Sequence, residues 1–312
     1  MTLSFTDLVD LASERLGSAV IDANDEFFAP KENLIKQGAP VWREGEYTER
    51  GKWMDGWETR RRRDDGDHDW CVIRLGVTGI VRGVDVDTAF FKGNFPESCA
   101  IDVGDATRWR TVLPPTALEG DSHNVIAIEK APPATHVRLR IFPDGGVARL
   151  RVYGDVVADW DRLRRRGDVD LAAVEHGGLV VACSDMFFGS RHNLIMPGDA
   201  THMGDGWETR RSRGPDKKRH DWSIVRLGAA GAIRRIEVDT RHFKGNAPGA
   251  CSLEASADRE QWHALLPKTP LQPHTRHVFE DEVLPNGDVS YVRLNIFPDG
   301  GVGRLRLYGR PK

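Results

Sequence analysis

The sequence contains few cysteines, no long apolar run and no excess of positive charge. Its four cysteines form no Cys-x-x-Cys pair, which argues against a disulfide framework or a zinc site and predicts reduced thiols. No segment approaches the roughly 18 apolar residues that a membrane-spanning helix needs. The net charge of -3 gives no general basic surface for nucleic acid. We therefore expect no nucleic acid and no membrane among the partners.

The signatures of several enzyme classes are also missing. No phosphate-binding loop, dinucleotide fingerprint or GxSxG nucleophile motif occurs. The first residues, MTLSFTDLVDLASERLG, show no basic segment followed by an apolar one, so they lack the pattern of a secretory signal. Together with the unpaired cysteines, this predicts a cytoplasmic protein. The arginine runs Arg60–Arg63 and Arg162–Arg166 lie beside acidic residues and are typical of solvated surface.

An internal repeat is the strongest feature that the sequence does contain. DGWETRR occurs at Asp55–Arg61 and again, 150 positions later, at Asp205–Arg211. VRLRIFPDGGV from Val137 matches VRLNIFPDGGV from Val292 at ten of eleven positions. So long a period does not fit a solenoid and predicts two whole domains, residues 1–166 and 167–312. We call them the first and the second repeat.

The offset between the repeats changes along the chain. It is 160 between Asp25 and Asp185 but 150 between Asp55 and Asp205. Insertions therefore fall between the matched blocks, where surface loops accept them.

Strand patterns are clearest near the end of each repeat. Val137, Leu139 and Ile141 alternate with arginines, which indicates a strand with one buried face. The Pro143–Gly146 segment, PDGG, predicts a tight hairpin turn into a second strand. The same pattern recurs at Pro298–Gly301.

Other segments complete an all-β pattern. Val72–Leu75 and Val84–Val86 are predicted as strands, and helical periodicity is weak. The best helix candidates are Thr6–Arg15 and its counterpart Asp168–Glu175. Many short strands and turns in each repeat favour a β-sandwich or jelly roll.

The DGWETRR motif combines side chains that could act on a small ligand. If the segment is extended, Glu58 and Arg60 point to one side, and Trp57, Thr59 and Arg61 point to the other. A glutamate is a candidate acid or base, and an arginine offers a planar fork for a carboxylate. An internal Glu–Arg salt bridge that fixes a loop is the structural alternative. In the second repeat the corresponding pair is Glu208 and Arg210.

Two further pairs of matching residues carry candidate chemistry. His68 and His220, each in an HDW motif, are candidate general acids or bases, with a purely structural histidine as the alternative. The FKGN loops supply a cation and an amide, and their alternative is a turn with a solvated lysine. The candidate binding residues of these loops are Lys92, Asn94, Lys244 and Asn246. The Phe-Phe pairs that follow Asp25 and Asp185 are expected to pack in the core.

These motifs together resemble the allantoicase family over nearly the whole chain. The resemblance is carried by SDMFFG, NLI, GDGWETRRSR, HDW, VDTxxFKGN and RLxIFPDGGVxRLRxYG, which recur in order in both repeats with some departures. The first repeat has NDEFFA in place of SDMFFG. It also has Lys52 where the second has His202, and His136 where the second has Tyr291. Which repeat is active stays open.

The resemblance implies a fold, a reaction and an assembly. The implied fold is all-β, with two tandem jelly-roll β-sandwich domains of the galactose-binding-domain-like type. The implied reaction is the hydrolysis of allantoate to ureidoglycolate and urea, and a homo-oligomer is expected. In this hypothesis Arg60 or Arg210 binds the substrate carboxylate, while a glutamate and a histidine of one repeat supply acid and base.

Some alternatives stay open at this point. No cofactor is expected, yet a divalent metal remains an alternative because His and Asp are present without HxH or HExxH spacing. A non-catalytic module with tandem galactose-binding-like domains could bind carbohydrate or another small ligand, since fold alone does not settle function. A duplicated scaffold protein is the third alternative.

Overall fold

The computed structural model describes residues 3–212 and 220–312. The chain divides into two compact units, Met1–Val157 and Ala158–Lys312. The predicted boundary between residues 166 and 167 stays a prediction. The α-helix α1, Trp160–Arg164, covers part of the second arginine run and belongs to the second unit.

The first unit is built from strands joined by turns. Its strands are β1 (Val9–Asp10), β2 (Ala19–Ala23), β3 (Tyr47–Thr48), β4 (Gly51–Lys52), β5 (Trp57–Glu58), β6 (Asp69–Asp87), β7 (Ser98–Gly104), β8 (Trp109–Ala117), β9 (His123–Ala127), β10 (Pro133–Phe142), β11 (Gly146–Val147) and β12 (Arg149–Val156). Short 3-10 helices lie at Phe5–Asp7, Glu14–Leu16 and Lys31–Ile35.

The second unit repeats this plan. Its strands are β13 (Val169–Asp170), β14 (Leu179–Cys183), β15 (Trp207–Glu208), β16 (Asp221–Asp239), β17 (Ala250–Ser256), β18 (His263–Pro270), β19 (Arg276–Phe279), β20 (Val289–Phe297), β21 (Gly301–Val302) and β22 (Arg304–Pro311). Its 3-10 helices are Val174–His176, Arg191–Ile195 and Met203–Asp205.

One long strand joins the two sheets of each sandwich. The first half of β6 pairs with β2 and β10, and its second half pairs with β9 and β12, all antiparallel. β7 and β8 extend the sheet beyond β10, and β1 extends it beyond β12. β16 has the same role in the second unit. The expected all-β fold of two tandem jelly-roll sandwiches is confirmed, as are the strands at Val72–Leu75 and Val84–Val86, which are both parts of β6.

The core of the first sandwich lies between its two sheets. Fully buried side chains of both halves of β6 pack in one cluster with residues of β7, β10 and β12, for example Ile73, Val84, Ile101, Leu139 and Leu150. The alternation predicted for β10 is confirmed, because Val137, Leu139 and Ile141 are all fully buried. All four cysteines are free.

The predicted hairpin after Ile141 is wrong. β10 pairs with β6 and β7, whereas β12 pairs with β1 and with the other half of β6. Pro143–Gly146 therefore carries the chain from one sheet across to the other. On the way, β11 pairs with β5, so that Gly146 lies opposite Glu58. The turn thus places its backbone beside the DGWETRR motif.

The helix predicted at Thr6–Arg15 is also wrong. The segment forms two short 3-10 turns on either side of β1. The partly buried Asp10 carboxylate accepts hydrogen bonds from the backbone N–H groups of Ala12 and Val152, which ties the segment to β12. A carboxylate that satisfies these backbone donors outweighs weak helical periodicity. Asp170 makes the corresponding contacts, so its segment forms a strand and a 3-10 turn instead of the predicted helix.

Candidate functional site

The DGWETRR motif contains a short strand in each unit, β5 and β15, so the extended arrangement considered for it applies. Trp57 is fully buried and its Nε1 donates to the Asp25 carbonyl oxygen at 2.8 Å. The buried Thr59 hydroxyl accepts from the Gly145 N–H at 3.1 Å. Since these two side chains point inward, Glu58 and Arg60 point the other way and line an open cavity.

Close packing of glycine against Phe91 positions the FKGN loop beside this motif. A Cβ atom at Gly146 would lie 1.9 Å from Phe91 Cε1, and one at Gly56 would lie 2.8 Å from Phe91 Cε2. Only glycine permits this approach, and it lets Gly146 N–H donate to the Asn94 carbonyl oxygen at 2.8 Å. The loop that carries Lys92 and Asn94 is thereby fixed over β5.

Glu58 and Asn94 meet at the centre of the site. Asn94 Nδ2 donates to Glu58 Oε1 at 2.7 Å. Burial raises the pKa of Glu58 above its usual range, and the hydrogen bond from Asn94 acts in the opposite direction. Among the described residues Glu58 has no ion pair, so the Glu–Arg salt bridge considered as an alternative does not form here. A half-buried carboxyl with a raised pKa suits proton transfer.

Arg60 is held by a different carboxylate. Its Nε donates to Asp25 Oδ2 at 2.7 Å, and its backbone N–H donates to Asp25 Oδ1 at 3.1 Å. The guanidinium carbon lies 5.3 Å from the Phe27 ring centroid. Asp25 therefore contacts the Nε edge of the Arg60 guanidinium. The Arg60 side chain is otherwise exposed and lines the cavity.

The second unit builds the same cluster. Asn246 Nδ2 donates to Glu208 Oε1 at 2.6 Å, and Trp207 Nε1 donates to the Asp185 carbonyl oxygen at 2.8 Å. The backbone N–H of Arg210 donates to Asp185 Oδ1 at 2.7 Å. The Arg210 guanidinium carbon lies 4.0 Å from the ring centroid of the preceding loop's Phe187. The geometry is therefore duplicated along with the sequence.

Two cavities of the first unit share Glu58. The larger has a volume of about 1090 Å³ and the smaller about 580 Å³. Both are lined by Phe28, Glu58, Gly93 and Asn94. The larger adds Asp25 and the arginines Arg60, Arg61, Arg62 and Arg63, and the smaller adds Trp42, Lys52, Met54, Phe90 and Lys92. The Glu58–Asn94 pair is thus accessible from two sides.

The remaining predicted residues lie at the edge of the site or outside it. Lys92 lines the smaller cavity with a side chain that is 77% exposed, 3.7 Å from Asp121, and Lys244 is exposed in the second unit. His68 packs on Phe142 with its Nδ1 2.5 Å from Asp67 and is not among the residues that line either cavity. His220 is exposed. The structure brings Glu58, Arg60 and Asn94 together, places Lys92 at the rim of the smaller cavity and leaves His68 apart.

Sequence reasoning missed several residues of the site. Asp25, Asp144, Trp42 and Lys52 all line or brace a cavity. The repeated Asp-x-Phe-Phe motif was a signal for Asp25, but its Phe pair was assigned to the core. That assignment is wrong, because Phe187 and Phe188 are 59% and 60% exposed. Their rings pack on each other and offer a face to the Arg210 guanidinium.

Within residues 3–212 and 220–312, no three His, Cys, Asp or Glu side chains are grouped so that they could hold a metal ion. Within the same ranges, no helix has the length and apolar character needed to cross a bilayer.

Comparisons with known proteins agree over nearly the full length. The model of the allantoicase repeat matches residues 9–157 and 169–312. A probable allantoicase of Pseudomonas paraeruginosa is 50% identical, over 99% of this chain and 97% of that protein. A probable allantoicase of Photobacterium profundum is 47% identical, over 98% of each. The crystal structure of allantoicase from Saccharomyces cerevisiae superposes with a TM-score of 0.85 at 36% identity, covering 96% of this chain and 92% of that one.

Proposed function

The chain belongs to the allantoicase family, and from this membership we infer that it hydrolyses allantoate to ureidoglycolate and urea. We further propose that the reaction takes place at the Glu–Asn–Arg cluster that each repeat builds. The observation that supports this site is the Glu58–Asn94 hydrogen bond between two cavities, with Arg60 on the adjacent wall.

The substrate's groups match the side chains of this cluster. Allantoate carries one carboxylate and two ureido groups on a single carbon. The exposed guanidinium of Arg60, or of Arg210 in the second repeat, suits the carboxylate, because a planar fork of N–H donors fits two carboxylate oxygens. Ureido N–H groups need acceptors, which the glutamate and the asparagine side-chain oxygens provide. Lys92 and Lys244 are further cations at the rim.

The reaction needs proton transfer but no covalent nucleophile. The lone pair of one ureido nitrogen helps to break the carbon–nitrogen bond to the other ureido group. The protonated Glu58 carboxyl gives its proton to the leaving nitrogen, so that neutral urea departs. The remaining ureido nitrogen, which keeps its N–H, is now part of an iminium ion. Water adds its oxygen to the iminium carbon and loses one proton to the Glu58 carboxylate, which restores the protonated carboxyl. The sum is allantoate plus water giving ureidoglycolate plus urea.

The histidines are the second candidates for an acid–base role. His68 and His220 follow the cluster in sequence, and a histidine could take the proton of the attacking water. A single carboxyl can perform both transfers, because the proton that it donates in the first step is replaced in the second. If the variant His68→Ala still releases urea at the wild-type rate, His68 has no role in the mechanism.

The direct test replaces the two glutamates separately and together. We expect Glu58→Gln and Glu208→Gln in one chain to abolish urea release from allantoate, since a typical general acid contributes about 10²- to 10⁴-fold. The single variants identify which repeat catalyses the reaction. The exposed Glu129→Gln is the matched control and should keep the wild-type rate. A double variant with the wild-type rate would refute the site.

Assembly and location also remain proposals. We propose a homo-oligomer, which light scattering of the purified protein would test. We also propose the cytoplasm as the compartment, and the four free cysteines support a reducing environment.

A further inference from the structure

The first repeat contains an insertion beside its glutamate that the second repeat lacks. Asn33 and Asp55 are 22 positions apart, whereas their counterparts Asn193 and Asp205 are 12 apart. The ten additional residues belong to a segment, residues 36–53, that we call the insertion segment. It ends in the small hairpin of β3 and β4.

Several hydrogen bonds hold the insertion segment against the body of the sandwich. The Val41 N–H donates to Asp55 Oδ2 at 2.9 Å, next to the DGWETRR motif. Arg50 Nη1 donates to the Phe27 carbonyl oxygen at 3.1 Å. These bonds fix the segment as a wall of the smaller cavity.

Two tilted aromatic rings and an ammonium group line the smaller cavity, with Trp42 and Lys52 supplied by the insertion segment and Phe90 lying just before the FKGN loop. The Trp42 and Phe90 ring centroids are 5.7 Å apart with an interplanar angle of 36°. Lys52 Nζ lies 4.0 Å from the Trp42 centroid. Phe90 has a φ of 69°, in the left-handed region that a bulky residue rarely adopts, and its N–H is held by Asp121 Oδ1 at 2.7 Å. Such conformations persist where the surroundings enforce them, and they concentrate at binding sites.

Lys52 has unused hydrogen-bonding capacity. Among the described residues no carboxylate forms an ion pair with its ammonium group, whereas Lys92 on the same cavity lies near Asp121. Glu58 and Asn94 also line this cavity. The lining of this cavity therefore combines aromatic rings, an ammonium N–H donor and a carboxyl group.

We propose that the smaller cavity is the subsite for the ureido group that leaves as urea, and that the first repeat therefore carries the turnover. A ureido group is planar, so it can pack against the Trp42 and Phe90 rings beside the Lys52 ammonium group. Its carbonyl oxygen accepts from Lys52, which draws electrons from the breaking carbon–nitrogen bond. Its nitrogen faces Glu58, which protonates it. The substrate carboxylate then extends into the larger cavity toward Arg60. This assignment rests on the proposed function of the Glu58 site.

The second repeat has different residues at these positions. His202 stands at the position of Lys52, His242 at that of Phe90, and ten residues of the insertion segment have no counterpart. The second repeat keeps Glu208, Asn246 and Arg210 but not the aromatic and ammonium wall. We therefore expect Glu58→Gln to remove most urea release and Glu208→Gln to remove little.

Fragment binding tests the subsite without turnover. Methylurea represents the ureido group and glycolate represents the carboxylate end. Their dissociation constants would be measured by ligand-observed NMR on the full chain. Lys52→Met should weaken methylurea binding about tenfold, as expected when a charged hydrogen bond is lost, and leave glycolate unchanged. Arg60→Met should do the reverse. The exposed Lys130→Met is the matched control and should change neither.

Kinetics provide the second readout. Lys52→Met should lower kcat for allantoate more than it raises KM, and Lys52→Arg should restore part of the rate. If Lys52→Met weakens glycolate instead of methylurea, the ammonium binds the carboxylate and the subsite assignment is wrong. Unchanged binding of both fragments would also overturn it. Absence of urea release from the wild-type protein would refute the reaction itself, while the fragment result would still judge the subsite.

Discussion

Asn94 and Glu58 lie 36 positions apart in the chain and meet through one hydrogen bond, from Asn94 Nδ2 to Glu58 Oε1, of 2.7 Å. The same bond joins Asn246 and Glu208 at 2.6 Å. A relationship kept in both repeats gives the amide a defined task. It holds the carboxyl group in place, and in the first repeat the hydrogen bond from Asn94 acts to lower the pKa of Glu58 against the effect of burial.

Removing Asn94 should therefore shift the pH dependence of the reaction. In Asn94→Leu the carboxylate loses a donor that stabilises its charged form, so the already raised pKa of Glu58 should rise further. We expect the limb of the kcat/KM profile that reports Glu58 to move to higher pH. Asn246→Leu is the matched control and should leave the limb in place if the first repeat carries the turnover. A shift to lower pH would contradict the assigned role of the amide.

Much of this site could be predicted from the sequence, because the same polar residues occur in both repeats. Period-two alternation placed Glu58 and Arg60 on one side of an extended segment, and the structure confirms it through the buried Trp57 and Thr59. It could not show that Arg60 pairs with Asp25, 35 positions away, because that contact depends on how two loops meet. It equally could not show that the insertion segment folds back over Glu58.

The errors have one physical origin. The PDGG turn was predicted as a hairpin because its local chemistry suits one, but the long strand β6 provides partners for β10 and β12 in different sheets. The Phe-Phe pair was predicted as core from hydrophobicity alone, whereas the second repeat exposes it beside an arginine. Local sequence patterns predict strands and turns, whereas pairing between distant strands determines which sheet each strand joins.

Gly146 should be intolerant of any side chain. In Gly146→Ala the new Cβ would lie 1.9 Å from the buried Phe91 ring, so the ring or the β11 backbone must move. Overpacking of this kind costs roughly 1–3 kcal/mol. We expect the free energy of unfolding, measured by guanidinium titration, to fall by about that amount. KM for allantoate should rise as well, because the displaced loop carries Asn94.

A matched glycine separates crowding from the change of residue type. Gly38 has no heavy atom within 4 Å of an added Cβ, so Gly38→Ala should leave both stability and KM near the wild-type values. Equal effects of the two substitutions would show that Phe91 does not constrain the loop.

Asp25 should govern substrate affinity through Arg60. Burial acts to raise the pKa of Asp25, but the Phe27 N–H and the Arg60 contacts together hold that pKa below its usual range. The carboxylate is therefore charged throughout the neutral pH range and keeps the guanidinium aimed at the cavity. Asp25→Ala should raise KM for allantoate several-fold, with a smaller change in kcat. Asp185→Ala in the second repeat is the control. A large loss of kcat with unchanged KM would place Asp25 in the chemical step instead.

The buried pair of Arg149 and Asp55 should be the most costly ion pair to break in the first repeat. Its side chains are only 3% and 7% exposed and meet at 2.8 Å, and Arg149 also donates to the carbonyl oxygens of Gly38, Asp55 and Ala148. Arg149→Met leaves a buried carboxylate and these carbonyls without their donor, which costs about 3–5 kcal/mol.

An exposed pair in the same unit provides the comparison for Arg149. Arg82 and Asp155 meet at 2.7 Å, but their side chains are 40% and 37% exposed. Water can replace such a contact, so Arg82→Met should cost about 0–1 kcal/mol. Adding Asp55→Asn to Arg149→Met should recover part of the loss, because the unpaired buried charge disappears. Guanidinium titrations of the four proteins measure this. Because Asp55 begins the DGWETRR motif and accepts from Val41, Arg149→Met should also weaken methylurea binding at the wall that the insertion segment forms.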